Sequence, residues 1–274
     1  MTTPPAFGIR DIQLIEQAEA EYFRRFLAGA SDDVAATLGI RTAHIGDGMA
    51  AAMVEDPTGT WTKAMGFGFD RVVDDALVTD VLDFFRAAGR KSGRIAIAPA
   101  VMPENWEEIR SKHGLVGSSS WTKFACRVDD FVPGTTDLEM RELTDGDVDA
   151  WARIIRDAFG MSDPDLTPLL AGTIADPAAR VFGTWDGDLL VGAGAVHIFG
   201  ETASFNTGGT LPSHRGRGVQ SALIAVRAAA AAEAGCRLFT AETGASAEKN
   251  VSHRNLERSG FTPQYDRINW LWQE

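Results

Sequence analysis

The sequence predicts an α+β protein built from two tandem units, each a mixed, mostly antiparallel sheet flanked by helices. Strand-like apolar runs alternate with amphipathic helical runs, and this order recurs in the second half of the chain. The length of 274 residues exceeds that of a typical single domain and suits two. The linker-like segment DFVPGTTD separates the halves, so we predict units over residues 1–132 and 133–274.

The first unit is predicted to begin with an amphipathic helix and to continue with strands and helices. Gly89 and Gly114 suit helix ends, because glycine readily adopts the left-handed conformation found there. The predicted elements are a helix at 11–27, strands at 39–45 and 49–54, a helix at 74–88, a strand at 94–98, a helix at 103–112 and a strand at 121–128.

The second unit adds a run of antiparallel strands to the same order. Thr144 and Asp147 have the spacing of a capping box, which predicts the start of a helix. The predicted elements that follow are a loop or short helix at 161–172, strands at 180–185, 189–199 and 202–211, a helix ending at Gly235, a strand at 236–243, a helix reaching Ser259 and strands within 261–272.

The two halves align at one constant offset of 146 positions. Gly89 and Gly114 then fall on Gly235 and Gly260. Apolar and charged positions also coincide at this offset; the matching pairs are Arg71 with Arg217, Val73 with Val219 and Leu77 with Leu223. The shared spacing predicts a tandem repeat of one structural unit.

The most informative stretch is HRGRGVQSALI at residues 214–224. Two glycines alternate with two arginines at 215–218, directly before an amphipathic helical pattern that starts at Val219. The first N–H groups of a helix have no internal partner and lie at the positive end of its dipole, and preceding glycines let them curl around phosphate. The stretch therefore predicts an anion-binding cradle for a phosphorylated cofactor.

Two other phosphate-binding motifs do not fit this chain. The triphosphate motif G-x-x-x-x-G-K-[ST] does not occur, and Gly192-x-Gly194 lacks the third glycine of the dinucleotide fingerprint. The stretch resembles the Q/R-x-x-G-x-G/A motif of the GNAT superfamily of N-acetyltransferases. Arg215 matches the first position and Gly218 the fourth, whereas Gln220 replaces the Gly or Ala of the sixth.

The resemblance implies that the second unit binds acetyl-coenzyme A, with the diphosphate in the cradle and the pantetheine arm along the preceding strand. Glycines in that strand are typical of a bulge or a close backbone approach, or of a strand weakened by packing. The implied cofactor residues are Arg215, Gly216, Arg217, Gly218, Val219, Gln220 and Ser221 in the cradle, Gly208, Gly209 and Thr210 in the strand, and Ser252 and Asn255 in the last helix.

The implied reaction is attack of a neutral amine on the acetyl thioester, which needs a base and an acid. Glu242, at the end of a strand, is the predicted base; its alternative is a solvated strand-end glutamate or a capping partner. Many relatives have a tyrosine acid where this chain has Leu256. Tyr265 is the remaining candidate acid, with a core or rim tyrosine as the alternative. His197 is predicted to be structural.

The first unit is predicted not to bind the cofactor. At the 146-residue offset, Asp70, Val72 and Asp74 stand where the second unit has two cradle glycines and a glutamine. An aspartate at a helix N-terminus satisfies the N–H groups from within and repels a diphosphate. We therefore expect the first unit to pack against the second and to form a wall of the acceptor pocket.

The composition limits the classes of partner and ligand that the chain is expected to bind. The net charge of −12 disfavours nucleic acid and anionic membranes as partners. Cys126 and Cys236 are predicted to be buried reduced thiols, no histidine spacing predicts a metal site, and no apolar stretch has the length of a membrane span. We expect a cytoplasmic monomer or homodimer without a metal.

Two functional classes follow from the sequence. In the first, the chain is an acetyl-coenzyme A-dependent N-acetyltransferase that acts on a primary amine of a small molecule within a ternary complex. In the second, it is a non-catalytic acyl-coenzyme A-binding or sensing module, which the missing tyrosine at position 256 permits. The sequence does not identify the acceptor.

Overall fold

The computed structural model describes residues 7–56, 59–159, 167–245 and 250–274. The helices are α1 (Ile9–Ala28), α2 (Asp32–Leu38), α3 (Asp75–Ala87), α4 (Trp106–Lys112), α5 (Val148–Phe159), α6 (Thr167–Ala175), α7 (Val219–Glu233) and α8 (Val251–Arg258). The strands are β1 (Ile40–Ile45), β2 (Gly48–Met53), β3 (Lys63–Met65), β4 (Ser92–Ala96), β5 (Val116–Arg127), β6 (Glu139–Glu142), β7 (Ala179–Asp186), β8 (Leu189–Phe199), β9 (Thr202–Thr210), β10 (Leu238–Gly244) and β11 (Thr262–Gln273).

One sheet of eleven strands joins both halves, in the order β1-β2-β3-β4-β11-β5-β10-β9-β8-β7-β6. Neighbours are antiparallel except for two pairs, β3 with β4 and β9 with β10, which are parallel. The prediction of an α+β fold with a mixed, mostly antiparallel sheet is confirmed.

The centre of the sheet interleaves the two halves. Strand β11, the last of the chain, lies between β4 and β5 of the first half, and β5 in turn pairs with β10 of the second half. Each half therefore gives its final long strand to the shared centre. Because one sheet runs through both halves, the division at residues 132 and 133 stays a prediction.

The 146-residue repeat is confirmed for the later elements of each half. Shifting β4, α4 and β5 by 146 positions places them on 238–242, 252–258 and 262–273, which coincide with β10, α8 and β11. All four helix-ending glycines have positive φ; the angles are 78° at Gly89, 66° at Gly114, 90° at Gly235 and 89° at Gly260. The repeat thus includes the backbone conformation of the helix ends.

Several element boundaries differ from those predicted. The first-half strand predicted at 121–128 begins earlier, at Val116, and the strands predicted within 261–272 form the single strand β11. Helix α2 and the short strand β3 are not foreseen by the apolar pattern, because both are short and are stabilised by tertiary contacts. Of the predicted loop or short helix at 161–172, residues 161–166 lie outside the described ranges and α6 covers the remainder.

Helices cover both faces of the sheet. Val181 packs in a cluster with α1, α5 and α6, whereas its neighbour Phe182 packs with α7 and α8, so the two groups of helices lie on opposite faces. Helices α3 and α4 pack over the first-half strands in a third cluster that includes Trp270 and Trp272 of β11. The core is therefore made jointly by the two halves.

Other predictions concern membranes and thiols. None of the helices in the described ranges combines the length and apolar character that a membrane crossing requires. Cys126 and Cys236 are free and buried as predicted, and burial raises the pKa of these thiols to about 12 and about 11, respectively.

We expect Phe85→Ala to destabilise the whole protein, although Phe85 belongs to the first half. Its ring is fully buried and stacks on Trp272 of β11, 6.3 Å between centroids. Loss of a buried Phe side chain costs about 3–5 kcal/mol. Denaturant unfolding should show this loss of unfolding free energy. Calorimetry should show a single thermal unfolding transition, shifted as a whole to lower temperature.

The matched control is Val72→Ala, at a side chain that is 70% exposed in the same half, with an expected effect within about 0.5 kcal/mol. Two separate transitions, of which Phe85→Ala shifts only one, would contradict a core shared by both halves.

Candidate functional site

The candidate site lies where two parallel strands separate. β9 pairs with β10 only over Thr202–Phe205 and Leu238–Ala241, although the strands continue to Thr210 and Gly244. Beyond the paired residues the strands diverge, and a cavity of about 650 Å³ occupies the opening. Residues from both faces of the sheet line it, including Tyr22 and Phe26 of α1 on one face and Ile224 of α7 and Leu256 of α8 on the other.

A bulge in β9 borders this cavity. The pairing of β8 with β9 shifts register between Ala193 and Ala195, opposite residues 206–209. Thr207 has a φ of 47°, in the left-handed region that β-branched residues rarely adopt. The bulge suggested by the strand glycines is present, and it turns part of the β9 backbone out of regular pairing.

The predicted strand residues have different surroundings. Gly208 lines the cavity. A Cβ on Gly209 would lie 2.8 Å from Cβ of Ala158 in α5, so close helix packing accounts for that glycine. The Thr210 hydroxyl lies 3.5 Å from Oε1 of Gln220 and thereby links the strand to the first turn of α7.

A chain of polar side chains supports the bulge from the α1 side. The Tyr22 hydroxyl lies 3.2 Å from Oγ1 of Thr207, which in turn donates to Oδ1 of Asn206 at 3.2 Å. Nδ2 of Asn206 lies 3.1 Å from Nδ1 of the fully buried His197. Burial lowers the pKa of His197 to about 4, so this imidazole is neutral and structural, as predicted.

The cradle forms at the N-terminus of α7. Gly218 is the N-cap with a φ of 77°, and Gly216 has a φ of 83°, so both glycines use conformations that favour this residue. Val219 is buried and packs beneath Gly192 of β8. Gln220 lines the cavity, which places the first turn of α7 beside the opening between β9 and β10.

The side chains of the two cradle arginines differ in their ion-pair partners. Arg217 is held by Asp186 at 2.7 Å and by Asp137 at 3.3 Å. The Arg215 side chain is exposed and has no hydrogen bond or ion pair with any part of the chain that the structure describes. Arg215 is thus the cradle side chain available to an added anion.

The linker between the halves contacts the cradle. The Thr136 hydroxyl donates to the Arg217 carbonyl at 2.9 Å, and a Cβ on Gly218 would meet the Thr135 carbonyl at 2.3 Å. A Cβ on Gly216 would meet nothing within 4 Å. The open side of the cradle is therefore at Gly216.

Internal carboxylates fill the equivalent region of the first half. Asp74 caps α3 by accepting the Leu77 N–H at 2.8 Å. Asp47 accepts N–H bonds from three consecutive residues; they are Gly68 at 3.2 Å, Phe69 at 2.7 Å and Asp70 at 2.8 Å. These N–H groups already have an anionic partner, in agreement with the predicted contrast between the halves.

A buried ion cluster borders the cavity on the α1 side. Arg267 of β11 pairs with Glu16, with Glu19 at 2.7 Å and with Glu242 at 3.1 Å. Lys123 of β5 pairs with Glu19 at 2.6 Å and with Glu242 at 3.5 Å. Both cationic side chains are 1% exposed, so every partner is needed to compensate the cost of desolvation.

The cluster keeps its members charged. Burial opposes ionisation of Glu19, but Arg267, Lys123 and Lys63 together hold the pKa of Glu19 well below its usual range. Burial also opposes the charge on Arg267, yet the surrounding carboxylates raise the pKa of this guanidinium above its usual range.

The predicted base and the predicted acid are in different places. Glu242 lines the cavity with a side chain that is 24% exposed; its Oε2 faces Arg267 and Lys123, and no described residue hydrogen-bonds to its Oε1. Tyr265 does not line the cavity, and its hydroxyl donates to Oε1 of Glu16 at 2.7 Å. Burial, followed by the charge of Glu16, raises the pKa of Tyr265, so its position gives no support to a role as proton donor.

The last helix contributes as the sequence suggested. Ser252, Asn255 and Leu256 of α8 line the cavity. Asn250 caps the helix by accepting the His253 N–H at 2.8 Å. Asn250 therefore caps the helix, and Ser252 lines the cavity.

Sequence reasoning missed most of the cavity wall supplied by the first half. Tyr22, Lys63 and Lys123 line the cavity, yet nothing in helical or strand spacing distinguishes a core position from one that borders a cavity. The one available signal was the placement of lysines inside otherwise apolar strands, since buried lysines need partners. Within the described ranges no group of His, Cys, Asp or Glu side chains is arranged to hold a metal ion.

Comparison with known proteins agrees with this geometry. Residues 148–261 match the model of the acetyltransferase (GNAT) family. The chain superposes on a GCN5-related N-acetyltransferase from Kribbella flavida with a TM-score of 0.62 and 17% identity, over 93% of each chain. A tandem GNAT protein from the clavulanic acid biosynthesis pathway gives a TM-score of 0.55 and 16% identity, over 94% of this chain and 96% of that one.

A third structure is a GCN5-related N-acetyltransferase from Sphaerobacter thermophilus, with a TM-score of 0.55 and 15% identity over 77% of this chain and 71% of that one. No curated protein matches the sequence significantly. At these identities the structural likeness establishes the fold.

We expect the free energy of unfolding to fall by about 3 kcal/mol from His197 alone as the pH drops from 6.5 to 4. The pKa is lower in the folded than in the unfolded state, so the unfolded chain binds more protons across this range and stability is lost on acidification. Denaturant unfolding at several pH values should show a flatter pH dependence for His197→Gln.

His44→Gln is the control, since His44 is exposed, and its pH dependence should equal that of the wild type. A His197→Gln curve parallel to the wild-type curve would contradict the lowered pKa of His197, because it would show equal proton binding by this imidazole in the folded and unfolded states.

Proposed function

We propose that the chain is an N-acetyltransferase using acetyl-coenzyme A, on the premise that residues 148–261 match the model of the acetyltransferase (GNAT) family. The acceptor is a primary amine of a small molecule, which attacks the bound thioester directly in a ternary complex. The observation that carries this proposal is continuity: the first turn of α7 at Gln220, the part of β9 that does not pair with β10, and Glu242 border one opening in the sheet.

Each part of the cofactor has a proposed partner. The diphosphate would be held by the cradle, residues 215–221, where Arg215 is without a partner in the described structure and the first N–H groups of α7 are free of internal bonds. The pantetheine arm would follow the β9 backbone at residues 208–210, on the edge that does not pair with β10. Ser252 and Asn255 would contact the arm from α8.

Glu242 is proposed to accept the proton of the attacking amine. As the amine nitrogen bonds to the carbonyl carbon, the C–S bond breaks, and the thiolate takes up a proton. Leu256 supplies none, so the donor is water or the hydroxyl of Tyr22, which lines the cavity. Burial raises the pKa of Tyr22 to about 12, which keeps this hydroxyl protonated at neutral pH.

The alternative is an acyl-coenzyme A-binding module without turnover. Such a module would bind the cofactor in the same cradle as the proposed acetyltransferase but would not catalyse acetyl transfer. Cytoplasmic location, a monomeric or homodimeric state, and the lack of nucleic-acid, membrane and metal partners also stay predictions.

We expect Gly216→Asp to weaken acetyl-coenzyme A binding at least tenfold, about 1.4 kcal/mol, in a calorimetric titration. The new carboxylate would stand in the cradle and repel the diphosphate, as the aspartates of the first half are proposed to do. Gly216 suits this test better than Gly218, where any Cβ collides with the linker.

The matched control is Gly216→Asn, which has the same shape and tolerance of positive φ but no charge, and should bind within about threefold of the wild type. Equal binding by Gly216→Asp and wild type, or one equivalent bound at the first half, would contradict the cradle.

We expect Glu242→Gln to lower kcat by about 10²–10⁴ in a thiol-release assay with an amine panel, because the amine proton loses its acceptor. The Kd for acetyl-coenzyme A should stay within about twofold of the wild-type value. Glu233→Gln, at an exposed glutamate ending α7, should behave as wild type.

An unchanged rate for Glu242→Gln would remove Glu242 from the mechanism. Tight cofactor binding without thiol release for any amine, in the wild type itself, would favour the non-catalytic module.

A further inference from the structure

We propose that the acceptor carries a carboxylate in addition to its amine, and that Lys63 and Arg94 hold this carboxylate. The inference rests on the proposed function, since it assigns the substrate class of the same cavity. It follows from the charges that the first half places on the cavity wall.

Lys63 and Arg94 are direct neighbours. The parallel pairing of β3 with β4 sets Lys63 opposite Arg94, so both side chains project from the same face of the sheet, and both line the cavity. Like charges directly opposite on paired strands repel each other. An anion placed between them removes that repulsion and makes bonds to both.

The carboxylates nearby are already engaged. Glu19 lies 3.5 Å from Lys63, but it also pairs with Arg267 and Lys123, so one carboxylate serves three cations. Asp56 attracts Arg94, yet its Oδ2 accepts the N–H groups of Trp61 and Thr62. Lys63 and Arg94 therefore each face a carboxylate that also serves other donors.

Arg94 also has an unused donor. Its Nη1 donates to the Gly59 carbonyl, whereas its Nε is buried and has no hydrogen-bond partner in the part of the chain that is described. Buried donors without partners are uncommon and destabilising. A carboxylate that accepts from Arg94 and from the Lys63 ammonium would use this capacity.

The remaining arginine of the cavity wall is occupied. Arg227 of α7 donates from Nε to the Leu223 carbonyl at 2.9 Å and from Nη1 to the Ala195 and Asn206 carbonyls at 3.1 and 3.4 Å. It thus holds the backbone around the bulge. The anion site is assigned to Lys63 and Arg94 for this reason.

The rest of the wall defines the body of the acceptor. Aromatic side chains also line the cavity; they include Tyr22, Phe23, Phe26, Trp61 and Trp121. Glu242 lies beyond Glu19 and Lys123, so the amine and the carboxylate of the acceptor would lie at separate positions with an apolar part against the rings. An amino acid whose amine and carboxylate are separated by an apolar or aromatic segment is of this class.

The test uses two probes of similar shape that carry no amine: 3-phenylpropionate, which has a carboxylate, and 3-phenylpropionamide, which has an uncharged amide in its place. Calorimetric titration into the wild type should show at least tenfold tighter binding of the acid. Lys63→Gln and Arg94→Gln should each bind the two probes within about threefold of one another. Arg86→Gln, on α3 at a half-exposed arginine remote from the cavity, should retain the wild-type preference.

The outcomes separate this inference from the proposed function. Equal or undetectable binding of both probes to the wild type overturns the carboxylate site, as does a preference that survives in Lys63→Gln and Arg94→Gln. The titration involves no acetyl transfer, so thiol release with amines is scored independently. A wild type that acetylates amines but shows no preference for the acid refutes only the carboxylate site.

Discussion

The guanidinium of Arg267 lies at the point where the two halves meet. It is on β11, yet its carboxylate partners come from α1 of the first half and from β10 of the second. Removal of one member of a buried ion cluster leaves uncompensated charge and costs about 3–5 kcal/mol, whereas the net contribution of such a cluster to stability is small. Every charge of the cluster has a partner only when α1, β5, β10 and β11 are assembled together.

The same cluster orients the candidate site. Oε2 of Glu242 is directed toward Arg267 and Lys123, both of which belong to the interleaved strands at the centre of the sheet. The position of the proposed base thus depends on the exchange of β5 and β11 between the halves. A half folding by itself would lack one of these strands and with it part of the cavity wall.

The two halves show how one backbone plan supports different chemistry. Both have a glycine-ended helix at the same register, but Asp47 and Asp74 satisfy the N–H groups around the start of α3. At the start of α7, glycines occupy the corresponding turn and the neighbouring Arg215 has no partner in the described ranges. This difference in internal carboxylates is the basis for the proposed division of roles between the halves, since the helix dipoles are otherwise alike.

The local sequence pattern was sufficient to predict the glycine-rich start of α7, the helix-ending glycines and the 146-residue repeat, because each depends on backbone conformation over a few residues. It was also sufficient for the α+β class, which follows from the alternation of periods 2 and 3.6. Strand order was not accessible: β11 could pair with several strands of the same alternation, and only simultaneous packing against both halves selects its place between β4 and β5. The surroundings of Tyr265 were also not accessible from the sequence: it was a candidate for the site, but its hydroxyl contacts Glu16. The cavity wall formed by Tyr22, Lys63 and Arg94 likewise depends on the tertiary structure, because these residues are distant from the second half in the chain.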